Sequence, residues 1–169
     1  MRELAELLNG MRSAGVIEEY ALFGATAQMR YTEPVATLDA HVLVAAPAPE
    51  PLDVLSGVYQ YCAARGYTPE GEAVRVGAWP TQFGPVFSPL TREAIEQAEV
   101  ADFDGIPLRV VRADYLAVIA LGTGRAKDFT RILAVLESGS VGREAIAVLA
   151  GRHGLASHWD KFLTRFLDD

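Results

Sequence analysis

The chain has 169 residues, enough for one well-filled core and too few for two. Half of them are hydrophobic and 22% are charged, an ordinary composition for a globular domain, and no apolar run nears the roughly 20 residues that span a bilayer. The formal net charge of -7 argues against broad, sequence-independent binding to nucleic acid, which needs a basic face; it leaves room for a small anion held by a local group of arginines.

The amphipathic start is not a secretory leader, and the single cysteine, Cys62, permits no intrachain disulfide, so a soluble, cytoplasmic protein is expected. Leu4, Leu7, Leu8 and Met11 recur at helical spacing, predicting a helix over residues 2–14 that Gly15 stops. A strand is expected over 16–23 up to Gly24, then a short helix over 25–31, closed before Pro34. Residues 38–44 read as a second strand, and the Pro-rich stretch 47–51 as a stiff connector. Leu55, Val58, Tyr59 and Cys62 form the buried stripe of the next helix, which makes Cys62 a core residue and not a reactive thiol.

Residues 74–76 and 79–83, split by Gly77-Ala78, read as a hairpin, with Pro80 marking one arm as interrupted or at an edge. Thr91 is expected to cap a helix running to about residue 99, and Asp104-Gly105 to turn a second hairpin. From residue 113 the pattern becomes helical: an apolar run at 115–121, a stripe of Phe129, Ile132, Leu133 and Leu136, a helix at 142–151, and a stripe of Trp159, Phe162, Leu163 and Phe166. The expectation is one domain over 1–169, with a mixed α/β part over 1–111 and a helical part over 112–169.

The stretch 24–41 carries the chemistry. Gly24 permits close backbone approach, and a turn opening a helix presents free amides suited to phosphate. The following strand places Asp39 and His41 on one face, with Leu38, Ala40, Val42 and Val44 turned to the core. Two strand ligands beside a phosphate-holding turn are the geometry for a divalent ion against a triphosphate. Asp39 reads equally as a metal ligand or as a solvated strand-start residue. His41 reads first as a partly buried strand histidine with one hydrogen bond, and second as a ligand.

On Gly24-Ala25-Thr26-Ala27, Asp39-Ala40-His41, the strand Trp79-Pro80-Thr81-Gln82-Phe83 and Arg125-Ala126-Lys127-Asp128 at a helix start, the chain resembles the nucleotidyltransferase superfamily, the DNA polymerase β-like fold. It looks most like the minimal bacterial proteins related to AbiEii-type toxins. The resemblance implies a mixed sheet flanked by helices with a helical C-terminal part. It implies nucleotide contacts by Gly24, Ala25, Thr26, Arg125 and Lys127, catalytic carboxylates at Asp39 and Asp128, and Mg²⁺ or Mn²⁺ at Asp39 with His41. At a helix start Asp128 is also favoured by the dipole regardless of function.

The chain departs from that pattern. Ala25 stands for a serine, His41 for the second aspartate, and Ala120 for a helical lysine. The 79–83 strand carries Gln82 in place of an acid, while Glu72 lies on the other arm. Neutral imidazole is a poor ligand for a hard cation. The expected function is therefore a transferase fold that binds a nucleoside triphosphate or a protein partner without catalysis. An active, toxin-like transferase and a homodimeric structural module are the alternatives. His153 and His158 read as surface or capping residues, and Arg75, Arg109 and Arg112 as solvated positions.

Overall fold

The computed structural model describes residues 1–45 and 51–167, and of 51–54 the backbone only; the connector at 47–50 lies outside the described residues. Helix α1 (Arg2–Ser13) buries Leu4, Leu7, Leu8 and Met11, as its spacing predicts. Gly15, at φ +70°, ends it in a left-handed turn, and the Val16 amide bonds back to the Met11 carbonyl at 3.0 Å. That closing turn uses up residues 15 and 16, so strand β1 (Glu19–Phe23) begins later than expected. Helix α2 (Gly24–Gln28) is one short segment, and β2 (Ala40–Ala45) follows.

Helix α3 (Pro51–Ala63) buries Val58 and Cys62; burial pushes the Cys62 thiol up to about 11, as expected of an inert core residue. Strands β3 (Pro69–Glu70), β4 (Ala73–Val76) and β5 (Trp79–Pro85) precede helix α4 (Pro89–Glu96). Thr91 is not its cap. Ser88 is, its Oγ accepting the Thr91 amide at 3.2 Å while Thr91 Oγ1 takes the Ser88 amide at 3.1 Å. The reciprocal box shifts the helix start by three residues and leaves room for β6 (Glu99–Phe103) before β7 (Ile106–Val110). Asp104-Gly105 turns this hairpin with φ of +53° and +80°, both positive as a type I′ turn demands. Four helices complete the chain: α5 (Ala113–Thr123), α6 (Ala126–Glu137), α7 (Arg143–Arg152) and α8 (Ala156–Phe166).

The strands form one mixed sheet in the order β3-β4-β5-β2-β1-β7-β6. β2 lies at its centre, antiparallel to β1 and parallel to β5. Helices cover both faces there, so Val42, Leu43 and Val44 are all buried and the strand does not simply alternate. Two expectations are corrected. Leu38 is 91% exposed, because the strand starts only at Ala40. β5 is an interior strand; Pro80 is tolerated because it precedes the first β2–β5 pair, Ala40 with Thr81, so its missing amide faces no partner strand.

Helix α5 is buried on almost every side by the rest of the chain, which accounts for its apolar run. Trp159 and Phe162 of α8 are buried too, their rings stacked 5.4 Å apart. Residues from α1 through α8 belong to one apolar cluster. Arg109 is not solvated: it is mostly buried, lies 3.2 Å from Glu19, and donates to the Ile95 carbonyl at 2.8 Å. Removing the α4 cap with Ser88→Ala is expected to lower stability by about 1 kcal/mol, read as a shift in the urea midpoint with unchanged slope.

Candidate functional site

The floor of the site is a row of side chains crossing three strands. Phe23 on β1 pairs with His41 on β2, and His41 pairs with Gln82 on β5. The Phe23 and His41 rings are 5.6 Å apart and tilted. Gly24 sits above this row at φ +70°, and a Cβ there would meet His41 Nδ1 at 3.3 Å. Any other L-residue would be strained and would crowd the imidazole, so glycine is required here by two separate constraints.

Hydrogen bonding orders the floor without ambiguity. A carboxylate only accepts, so Gln82 must turn its Nε2 towards Asp39 Oδ2, 3.3 Å away. Its Oε1 then faces His41 Nε2 at 3.2 Å and must receive a proton from it. His41 Nε2 thereby carries a proton, which makes the neutral ring the Nε2–H tautomer. The same Nε2 lies 3.5 Å from Asp39 Oδ2, and Thr37 Oγ1 lies 3.3 Å from Asp39 Oδ1.

Asp39 therefore accepts from Gln82, with His41 Nε2 and the Thr37 hydroxyl close beside it. A Mg²⁺ or Mn²⁺ site needs the reverse, several acceptor oxygens converging on one point. Among the described residues no three His, Cys, Asp or Glu side chains are grouped to hold a metal ion. The residues present do not fit the ion that the resemblance implies.

The opposite wall is the start of α6. Asp128 is 1% exposed and accepts from Arg125 Nε at 2.7 Å, from the Arg125 amide at 3.3 Å and from Arg131 Nη1 at 3.0 Å. Burial alone pushes its carboxyl up, but the hydrogen bonds and charge of Arg125, with the charge of Arg131, outweigh it and hold the group below the usual carboxylate range. Arg131 also reaches the buried Gln28 Oε1 at 3.2 Å, tying α6 to α2. Asp128 acts here as the anchor of α6, capping its first turn. Arg125 is 59% exposed and Lys127 is exposed.

Between floor and wall lies an open cleft of about 890 Å³. It gathers Gly24, Ala25, Asp39, His41, Arg125, Lys127 and Asp128, though these are up to 104 residues apart in sequence. Thr26 is not among its lining; it is buried, and its hydroxyl donates to the Phe23 carbonyl at 3.3 Å. Ala120 of α5 lines the cleft as a small residue. Two lining residues escaped the sequence reading. Gln82 was legible as a missing acid but not as the bridge between Asp39 and His41. Glu70, not Glu72, is the acid on the neighbouring arm, and it is paired with Arg75 at 2.8 Å.

His153 lies elsewhere. It is the C-cap of α7, but mostly buried and 2.7 Å from Glu93, which also receives Tyr115 Oη and Arg152 at 2.7 Å each. The Tyr115 hydrogen bond leads the causes that hold the Glu93 carboxyl low; burial and Glu93 push the Tyr115 phenol up to about 12.

No family model matches the chain, and no characterised protein is significantly similar to it in sequence. Its structure does have relatives. An antigenic nucleotidyltransferase-like protein from Paracoccidioides brasiliensis superposes with a TM-score of 0.59 at 13% identity, over 94% of this chain and 93% of that one. The antibiotic-resistance factor ANT(2'')-Ia, as determined in solution, gives a TM-score of 0.56 at 13% identity over 96% and 94% of the two chains. Its crystal structure in complex with adenylyl-2''-tobramycin gives 0.54 at 13% identity, over 96% and 97%. The chain has a nucleotidyltransferase-like fold. At such identity the likeness carries the architecture alone.

Two outcomes follow from this geometry. Because the folded-state value of Asp128 lies below its unfolded one, the stabilisation it brings is complete above about pH 4 and is lost as the pH falls through the folded value. Asp128→Asn is expected to cost about 2–3 kcal/mol at pH 7, less than a fully buried pair because Arg125 is largely exposed, with the gap to wild type narrowing as the pH falls below about 4 in urea titrations. In ¹⁵N NMR at neutral pH, His41 is expected as the Nε2–H tautomer in wild type and as a mixture in Gln82→Leu; an Nδ1–H tautomer in wild type would contradict the donor order above.

Proposed function

We propose that the protein binds a nucleoside triphosphate in this cleft and does not transfer a nucleotide from it. The supporting observation is that Asp39 stands beside an amide that donates to it and an imidazole nitrogen, where a divalent ion would need several acceptor oxygens. Transfer of a nucleoside monophosphate on this fold requires that the leaving pyrophosphate be neutralised and the attacking hydroxyl be activated. One carboxylate already hydrogen-bonded to its neighbours does neither well.

Binding needs less. The cleft has room for a nucleotide, a glycine turn on one side and cationic side chains on the other. The branch that best accommodates the Arg125-Ala126-Lys127-Asp128 start of α6 is the minimal bacterial, AbiEii-like one, with a cytoplasmic setting.

One observation favours the other reading, an active toxin-like transferase that modifies tRNA or a protein: the Glu70 carboxylate lines the same cleft as Asp39. Incubation with labelled ATP, GTP, CTP and UTP and Mg²⁺ or Mn²⁺ separates the two. Calorimetric binding of at least one nucleotide with no label passed to RNA or protein is expected. Label transfer that disappears in Asp39→Ala would establish the active reading instead. Failure of all four to bind would direct the search to a protein partner.

A further inference from the structure

We infer that the cleft holds the phosphates of its ligand without a divalent cation, on the α6 wall and away from Asp39. The inference rests on the nucleotide-binding reading above and specifies how that site works.

In a metal-dependent site the aspartate is the ligand's indirect partner, because the ion sits between carboxylate and phosphate and attracts both. Here that intermediate position is taken. Gln82 Nε2 approaches Asp39 Oδ2 at 3.3 Å, and His41 Nε2 approaches the same oxygen at 3.5 Å. The Gln82 N–H does for that oxygen part of what a cation would do, and His41 Nε2, whose proton goes to Gln82 Oε1, lies close beside it. They also repel a cation brought to the same point. Were Gln82 to swing its amide round to admit one, His41 Nε2–H would face an NH₂ group in place of an oxygen.

The charge on the two sides of the cleft is unequal. On the α6 wall Arg125, Lys127 and Arg131 stand against the single carboxylate of Asp128, a formal surplus of two positive charges. On the floor Asp39 is the one formal charge among Phe23, Gly24, His41 and Gln82. Glu70, at the third side, has its own counter-charge in Arg75. A polyanion is therefore drawn to Arg125 and Lys127 and pushed from Asp39, with no ion to reverse the sign of that second contact.

The sign is what can be measured. If a metal mediates, removing the charge of Asp39 abolishes binding. If none does, removing it removes a repulsion. Unit charges held roughly 8–10 Å apart in a wet, partly screened cleft interact by an amount equal to about a two- to five-fold change in affinity. Magnesium also neutralises much of the nucleotide's charge, so the free nucleotide should bind the cationic wall at least as well as its magnesium complex.

The experiment titrates ATP and inorganic tripolyphosphate into the full chain by calorimetry, once in EDTA and once in excess Mg²⁺. Wild type, Asp39→Asn and Lys127→Ala are compared. Expected are binding in EDTA no weaker than in Mg²⁺, a two- to five-fold gain in Asp39→Asn, and a loss at least that large in Lys127→Ala. Opposite signs in the two variants exclude a general folding defect, which would weaken both. Binding that appears only with Mg²⁺ and vanishes in Asp39→Asn would overturn the inference while leaving nucleotide binding intact. Absence of binding by either probe in either buffer would overturn both.

Discussion

The alignment of β2 between β1 and β5 governs everything at the cleft. With β2 antiparallel to one neighbour and parallel to the other, Phe23, His41 and Gln82 are forced into one line across the sheet. Side chains in such a line sit within reach of one another whatever their chemistry. The backbone ladder thus decides that His41 has an amide beside it, and the amide decides which imidazole nitrogen carries the proton. Gly24 is a consequence of the same line, since the ring of His41 occupies the space over its α-carbon. A one-residue slip of β2 would send His41 to the opposite face and break all of these relations together.

Most of the architecture was legible in periodicity. The helical stripes of α1, α3, α6 and α8, and the turn residues Gly77-Ala78 and Asp104-Gly105, each located an element, because spacing and left-handed turns are local properties. Boundaries were less legible where one local device replaced another: Ser88 outcompetes Thr91 as a cap, and the glycine closure of α1 delays β1. Leu38 was misplaced because alternation was projected past the point where pairing begins.

The site divides the same way. Gly24, Asp39 and His41 stand close in sequence and could be grouped by a strand argument. Gln82 and Glu70 enter only through strand order, which no single segment encodes. The structural role of Asp128 depends on two arginines on its own helix start and on its burial beside α2. Its position in sequence suited a catalytic carboxylate equally well.

Two charged clusters tie the helices around α5 together. On the cleft side Asp128, Arg125, Arg131 and Gln28 lock α6 to α2. Elsewhere Glu93 collects Tyr115, Arg152 and His153 and joins α4, α5 and α7. Both satisfy a carboxylate with several donors, which is how ionised groups are kept at low exposure. The wall that presents Arg125 and Lys127 is consequently anchored through Asp128 and Arg131.

The hydrogen-bonded floor also shapes what substitutions toward a carboxylate-rich site would meet. Replacing His41 by aspartate alone would set a second carboxylate beside Asp39, with one amide to serve both. Replacing Gln82 by glutamate alone would strip Asp39 of its donor and add a charge next to it. Each single step raises like-charge repulsion before any ion site exists to relieve it. Neither substitution by itself turns this floor into an ion site.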